Sequence, residues 1–252
     1  MMLVHEFTDG YKPIMVLIHG FLTPWQIWLP QISAFKEKYN IYVIALNAHT
    51  EETASEFTSI SEETEEIIQY FKASGIDVID TLCGISLGGK IAYEIWKRGQ
   101  LLIHNLILDG APLVSCPQFA VRMMTSNYKN IIHKSKTRNE NVIANFKKYF
   151  LPEKYLDSYF KIVDLMTDKS IENVVTSVFS GGKFSCIDPQ CRILFVHGTK
   201  GNEILSRKSA AMLKKSCPNT CVVCYKGDPH CYKALFQPEV WISTAKAFLD
   251  KV

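Results

Sequence analysis

Between Val78 and Gly99 the chain reads V-I-D-T-L-C-G-I-S-L-G-G-K-I-A-Y-E-I-W-K-R-G, an order of residues that few backbones can accommodate. A β-rich apolar run leads into Gly84-Ile85-Ser86-Leu87-Gly88. Apolar residues then recur at a helical spacing, Ile91, Ala92, Ile95 and Trp96, with Gly99 as a stop. Glycine has no Cβ and tolerates close approach. With Gly84 two residues before the serine and Gly88 two after it, strand and helix can pack around a turn sharp enough to leave Ser86 Oγ standing above the sheet. A bare G-x-S-x-G arises often by chance, so it is the flanking strand and helix patterns that make Ser86 a candidate nucleophile.

The rest of the chain repeats the same alternation. Ile14–Ile18 is a continuous aliphatic run, the signature of a strand buried on both faces of a parallel sheet, and His19-Gly20 ends it. A helical pattern follows from Trp25 toward Tyr39, with a break or restart expected at Pro30. Residues 41–46 form the next buried strand, and a polar loop over 47–58 carries His49, Glu51, Glu52 and Glu56. Ser59-x-x-Glu62 is a capping-box pattern opening a helix that stops at Gly75. Strands are expected over 101–108, ending in Asp109-Gly110, over 192–196, ending in His197-Gly198, and over 220–225. A helix over 204–215 separates the last two of these strands. Lys226-Gly227-Asp228-Pro229-His230 forms a loop before a closing helix over Pro238–Leu249. Alternation of this kind implies right-handed crossovers and an α/β fold: a mostly parallel twisted sheet with helices on both faces. Ligands in such sheets bind beyond the carboxyl ends of the strands, where His19, Ser86 and Asp109 all fall.

From Pro112 to Cys186 the β pattern gives way to helical segments rich in Phe, Tyr and Met, expected over 119–128, 141–150, 152–166 and 170–179, with Gly181-Gly182 closing the section. Residues 1–111 and 187–252 then form the core, and 112–186 a helical cap, or lid, over its active end. The insertion holds eleven basic residues against six acidic ones, so it carries the excess positive charge of a chain whose net charge is +3. Scattered lysines on helices ordinarily make a solvated face, and a basic, aromatic cap also suits anionic or amphipathic ligands.

With 28 Lys and Arg against 25 Asp and Glu and no reader motif, nothing points to nucleic acid. Met1 to Gly10 lacks the basic start and apolar run of a signal peptide, and no stretch reaches the length of a membrane span, which leads to the expectation of a cytoplasmic protein. Eight cysteines in a chain of this size without a signal are expected to be reduced. Cys221-Val222-Val223-Cys224 has the spacing of a metal or redox pair, but on a strand its thiols point to opposite faces, so no metal is expected. No cofactor is expected, and the oligomeric state is not encoded in any motif.

Taken together, these motifs resemble the α/β-hydrolase fold superfamily, specifically its capped serine hydrolases of the esterase and lipase kind. The resemblance covers essentially the whole chain: the His19-Gly20 loop, the Gly84 to Gly89 elbow, the insertion after Asp109, an acid-bearing loop after Val196, and His230 near the end. It implies Ser86 as nucleophile, His230 as its general base, and an oxyanion hole made by the backbone N–H groups of Phe21 and Leu87. His19 and His197 are expected to orient loops. His49, His104 and His133 match no motif position, though His133 lies in the cap. The acid departs from the commonest pattern, because Gly198-Thr199-Lys200-Gly201-Asn202-Glu203 has no Asp and offers Glu203; Asp109 and Asp228 are the alternatives. The expected activity is cleavage of a carboxylic ester of a small or amphipathic molecule through an acyl-enzyme on Ser86. Amide or peptide cleavage, thioester or C–C hydrolysis and elimination use the same frame, and a non-catalytic ligand-binding protein is the alternative from another class.

Overall fold

In the computed structural model, which describes residues 1–181 and 186–251, seven strands form one sheet in the order β1-β3-β2-β4-β5-β6-β7. They are β1 (Leu3–Phe7), β2 (Ile14–Ile18), β3 (Asn40–Ala45), β4 (Val78–Ile85), β5 (Leu102–Asp109), β6 (Arg192–His197) and β7 (Cys221–Cys224). All neighbours run parallel except β1, which pairs antiparallel with β3 from Leu3↔Ala45 to Phe7↔Ile41. The inner strands are buried because both faces are covered: Val16, Leu17, Ile18, Leu82, Cys83, Leu106 and Ile107 are completely inaccessible.

The order of the strands decides where the crevice lies. From β2 the chain steps to one side, to β3; from β3 it returns past β2 to β4 and then continues outward to β5. With right-handed crossovers, the helix of the first step lies on one face and the helices of the later steps on the other. Accordingly α1 (Leu29–Phe35) packs with α10 (Pro238–Leu249), where Trp28 and Trp241 meet edge to face, while α2 (Ile60–Ala73) packs with α3 (Leu87–Arg98). The direction reverses between β2 and β4, and the loops after these two strands splay apart over a crevice. Gly20 and Ser86 face each other across it, a Cβ on Gly20 lying 3.4 Å from that of Ser86.

Local signals in the sequence match the elements. Ser59 caps α2, its Oγ accepting from the N–H of Glu62 at 3.1 Å, and Gly75 ends that helix in the left-handed region at φ 71. At Pro30 the expected break becomes a handover: a 3-10 turn, Trp25–Trp28, precedes α1, with Pro30 in the first turn, where its missing N–H costs nothing. The remaining core helices are α8 (Ile204–Ser216) and the short α9 (Tyr232–Phe236).

Between β5 and β6 stand four helices, α4 (Gln118–Lys136), α5 (Glu140–Tyr149), α6 (Leu156–Leu165) and α7 (Asp168–Phe179). They enclose a small core of their own around Ile132, Phe146, Tyr159, Ile162 and Val163. The first of them continues well past the stretch expected from the pattern, because its buried stripe includes Ser135, whose Oγ is satisfied by the carbonyl of Ile131 and by the hydroxyl of Tyr159 at 2.8 Å. Much of the insertion's positive charge is paired on its own surface, Lys129 with Glu172, Arg138 with Asp164 and Lys147 with Glu153. The insertion is fastened to the core at the end of α7, where the buried ammonium of Lys90 donates to the carbonyls of Ser177, Val178 and Ser180. Gly182, expected to help close the insertion, and Lys183, counted in its charge, lie outside the described residues. All eight cysteines are free thiols, with Cys221 and Cys224 exposed on the edge strand β7. Among the described residues no helix is long and apolar enough to cross a membrane.

The elbow tolerates no side chain at its glycines. A Cβ on Gly84 would lie 2.2 Å from the carbonyl oxygen of Gly88, and one on Gly88 would lie 2.3 Å from that of Ile18. Because these obstacles are backbone, Gly84→Ala and Gly88→Ala should each lower the free energy of unfolding by about 1–3 kcal/mol, the range of overpacked interiors, read from the urea midpoint at constant m-value.

Candidate active site

Ser86 stands between β4 and α3 with φ 51 and ψ −113, a conformation that costs a non-glycine residue on the order of 1–3 kcal/mol. Its backbone is held on both sides. The N–H donates to the carbonyl of Asp109 at 2.8 Å, and the carbonyl accepts from the N–H of Lys90 at 3.1 Å. The result is a serine whose hydroxyl projects from the carboxyl end of the sheet while Leu87, the first residue of α3, is fully buried beneath it.

His230 Nε2 lies 2.9 Å from Ser86 Oγ. Its Nδ1 is hydrogen-bonded to Glu203 Oε1, and the other oxygen of that carboxylate accepts from the N–H of Gly198 at 3.1 Å. Glu203 is buried and one-fifth of the His230 side chain is exposed, so the acid is shielded while the imidazole edge remains open to the crevice. The two residues come from different loops, and those loops are laced together. The carbonyl of Asp228 accepts from the N–H groups of Thr199 and Lys200, and Thr199 Oγ1 accepts from the N–H of Gly227 at 2.8 Å. Gly198 is obligatory in this contact, because a Cβ there would lie 2.3 Å from the Asp228 carbonyl oxygen.

The other two carboxylates are engaged elsewhere. Asp228 pairs with Lys233 at 3.1 Å. Asp109 is buried at the end of β5, and its Oδ2 has no hydrogen-bond partner among the described residues. Burial first, and then the neighbouring Glu203, push its carboxyl well above the usual carboxylate range, with the Trp241 indole acting weakly the other way. The structure therefore brings Ser86, His230 and Glu203 together and leaves Asp109 behind them as a buried carboxyl whose ionisation is opposed. Gly110 makes the approach possible, since it adopts φ 63 and a Cβ there would lie 2.6 Å from His230 Cε1.

Across the crevice, the loop after β2 carries Phe21. The Phe21 ring is flanked edge-on by His49 and by Tyr128 of α4, so the insertion leans directly on this loop. His19 and His49 lie back to back beneath it, ring centroids 5.1 Å apart, both fully buried. His19 Nε2 accepts from the N–H of Leu46 at 3.1 Å, and His49 Nε2 accepts from the N–H of Leu22 at 3.2 Å. Both imidazoles are therefore neutral, with the proton on Nδ1, and burial lowers their pKa to about 3 and about 4 respectively. Of the remaining histidines, His197 Nδ1 bonds to the carbonyl of Gly198, and His133 pairs with Asp168 on the exposed side of the insertion. No group of three or more His, Cys, Asp or Glu among the described residues is placed to hold a metal ion.

Neither a protein-family model nor a curated protein matches the sequence. Solved structures do match, over the whole length. An α/β-hydrolase family protein from Desulfitobacterium hafniense superposes with a TM-score of 0.74 at 18% identity, covering 98% of this chain and 100% of its own. The chain has the α/β-hydrolase fold. MenH from S. aureus is similar at TM-score 0.73 and 17% identity, over 99% of this chain and 98% of its own. A thermophilic esterase from Thermogutta terrifontis is similar at TM-score 0.71 and 16% identity, over 99% and 93%.

Within this α/β-hydrolase fold, two residues at the crevice escape a motif-based reading. Tyr128 has no signal, because its place above Phe21 depends on how four helices pack. His49 had one: it follows the third strand directly, at the same end of the sheet as Ser86. A third buried group lies behind it. Glu63 of α2 accepts from the N–H of Asn47 at 3.2 Å, and burial raises its pKa from 4.5 to about 7. The folded state thus holds a proton there that the unfolded chain releases, so this carboxyl favours folding most at low pH and loses that advantage as pH rises from about 4.5 to about 7. Glu63→Gln, which keeps an acceptor for Asn47, should therefore gain on wild type by about 1–3 kcal/mol between pH 5 and pH 8 in paired urea titrations.

Proposed function

We propose that this protein is a serine hydrolase that cleaves carboxylic esters of small or amphipathic molecules through an acyl-enzyme on Ser86. The observation that carries the proposal is the continuous hydrogen-bonded chain from Ser86 Oγ through His230 to Glu203, set at the reversal point of the sheet. A serine hydroxyl is a weak nucleophile, and its proton must leave as the oxygen attacks. His230 Nε2 receives that proton. Glu203 fixes the imidazole with Nδ1–H directed away from the serine and stabilises the cation that forms.

Attack on the ester carbonyl places a negative charge on its oxygen, which needs donors already in position. The N–H groups of Leu87 and Phe21 serve here, and the N-terminal end of α3 adds its positive partial charge. The tetrahedral intermediate collapses as His230 returns the proton to the departing alcohol. Water, deprotonated by the same imidazole, then releases the acid and regenerates Ser86. The insertion over 112–186 acts as the cap, with Tyr128 and Phe21 closing one wall of the crevice. Esterases among the similar structures support the choice of an ester as the substrate class to test first.

Short-chain p-nitrophenyl esters and a fluorophosphonate probe test the proposal. Ser86→Ala should abolish both turnover and labelling. Glu203→Gln should lower kcat by about 10²- to 10⁴-fold, since it leaves His230 without the charge that orients it, while Asp109→Asn should stay within about tenfold of wild type. A folded wild-type protein that neither labels nor turns over any ester would overturn the reading.

A further inference from the structure

The oxyanion loop is built around a residue that would not adopt its conformation unaided. Leu22 follows Phe21 with φ 61, left-handed for a branched side chain, and is almost completely buried. What Phe21 N–H can do depends on the two peptide planes that flank it. The plane before it is held by the carbonyl of Gly20, which accepts from His19 Nδ1 at 2.8 Å, from Thr23 Oγ1 at 2.9 Å and from Thr23 N–H. In a trans peptide the C=O and N–H point in opposite directions, so these donors turn the Phe21 N–H away from Thr23.

The plane after Phe21 carries the Leu22 N–H, and His49 Nε2 is its acceptor. His49 is in turn held rigidly. Its Nδ1–H donates to the carbonyl of Asn47 at 3.0 Å, its own N–H donates to the carbonyl of Leu46, and the intervening Ala48 adopts φ 62 with its N–H on Ser55 Oγ. The peptide N–H of Asn47 is bound by Glu63, and its side-chain amide by Glu66. Three polar groups of the β3–α2 connection and two carboxylates of α2 thus hold residues 47–49 in place, and His49 Nε2 is left facing the oxyanion loop after a different strand.

We infer that His49 is a positioning residue for the oxyanion hole: as a neutral imidazole it accepts the Leu22 N–H and locks the peptide between Phe21 and Leu22, so that Phe21, whose own N–H plane is held through the Gly20 carbonyl, is fixed on both sides. The inference rests on the serine-hydrolase reading above. Only an acceptor can do this. Carbon at the same place would leave a buried N–H unpaired, and a protonated imidazole would set two donors against each other. The low pKa of His49, about 4, keeps the acceptor available through the neutral range.

Two substitutions separate this role from packing. His49→Phe keeps an aromatic ring against Phe21, somewhat larger than the imidazole, but has no acceptor; His49→Gln places a carbonyl oxygen near the position of Nε2. With p-nitrophenyl butyrate, His49→Phe should lower kcat by about 10- to 100-fold with KM within about threefold, and His49→Gln should recover most of the loss. Affinity for an alkyl trifluoromethyl ketone, whose tetrahedral adduct places an oxyanion in the same hole, should fall in proportion to kcat/KM across the series. If His49→Phe does not fold, His49→Asn replaces it, since its shorter amide does not reach the Leu22 N–H. The inference is overturned if the acceptor-less variant keeps kcat within about threefold of wild type, or if His49→Gln is no better than it. Ser86→Ala, run alongside, distinguishes the two levels: active wild type, inactive Ser86→Ala and unimpaired His49→Phe overturn the role of His49 alone, whereas inactive wild type overturns the hydrolase reading and this inference with it.

Discussion

Ser86 holds a backbone conformation that a side chain resists, and most of the active end of the molecule can be understood as what keeps it there. The N–H of the serine is bound to the end of β5 and its carbonyl to the first turn of α3, so strand, turn and helix form one rigid unit. That unit requires α3 to approach β2 and β4 more closely than any Cβ at Gly84 or Gly88 would permit. The buried face of α3, with Ile91, Ala92, Ile95 and Trp96 in the core, supplies the stabilisation that offsets the strain. A hydroxyl fixed in this way loses little freedom on meeting a substrate, which is the physical sense of preorganisation.

The same logic extends to the partners of the serine. His230 and Glu203 are separated by α8, β7 and the loops that join them, yet the backbone of Asp228 is bonded to the backbone of Thr199 and Lys200 just before each side chain emerges. Fixing the loops by main-chain contacts leaves the side chains free for chemistry. On the other wall, His19 and His49 do the corresponding work for Phe21, each bridging the loop after β2 to the end of β3. The Phe21 wall therefore depends on the parallel pairing of β2, β3 and β4, and the His230 wall on that of β6 and β7, each of which sets its strand ends level with one another.

Much of this was legible in the sequence because it is local. The buried strands are aliphatic runs, the capping of α2 follows from Ser59 and Glu62, and the elbow announces itself by two glycines around a serine between a strand and a helix. Features that depend on tertiary pairing were not. Strand β1 is short, polar at His5 and Glu6, and pairs antiparallel at an edge, so no strand-helix-strand pattern marks it. Helix α9 is only five residues long, too short for a period to show. Tyr128 reaches the crevice only through the packing of the insertion. The acid was legible only as a first choice, Glu203 in the loop after β6 ahead of Asp109 and Asp228, since all three lie at the right end of the sheet and the direction of a side chain is set by tertiary packing.

Burial explains how the carboxylates divide. Asp109 is fully buried beside Glu203, and burial first and then this neighbour hold its carboxyl well above the usual carboxylate range. Glu203 has the Gly198 N–H on one oxygen and the His230 imidazole on the other, whereas Asp109 has an oxygen with no partner among the described residues. The hydrogen-bond donors of this corner therefore gather on Glu203, and Asp109 is the carboxyl whose ionisation burial opposes. The two histidines beneath Phe21 follow the same rule with the opposite sign. Fully enclosed and facing N–H donors, they stay neutral, while His230 is partly open to the crevice and hydrogen-bonded to a carboxylate. All three are histidines, so what sets His230 apart from the two beneath Phe21 is not residue type but exposure and bonding partner.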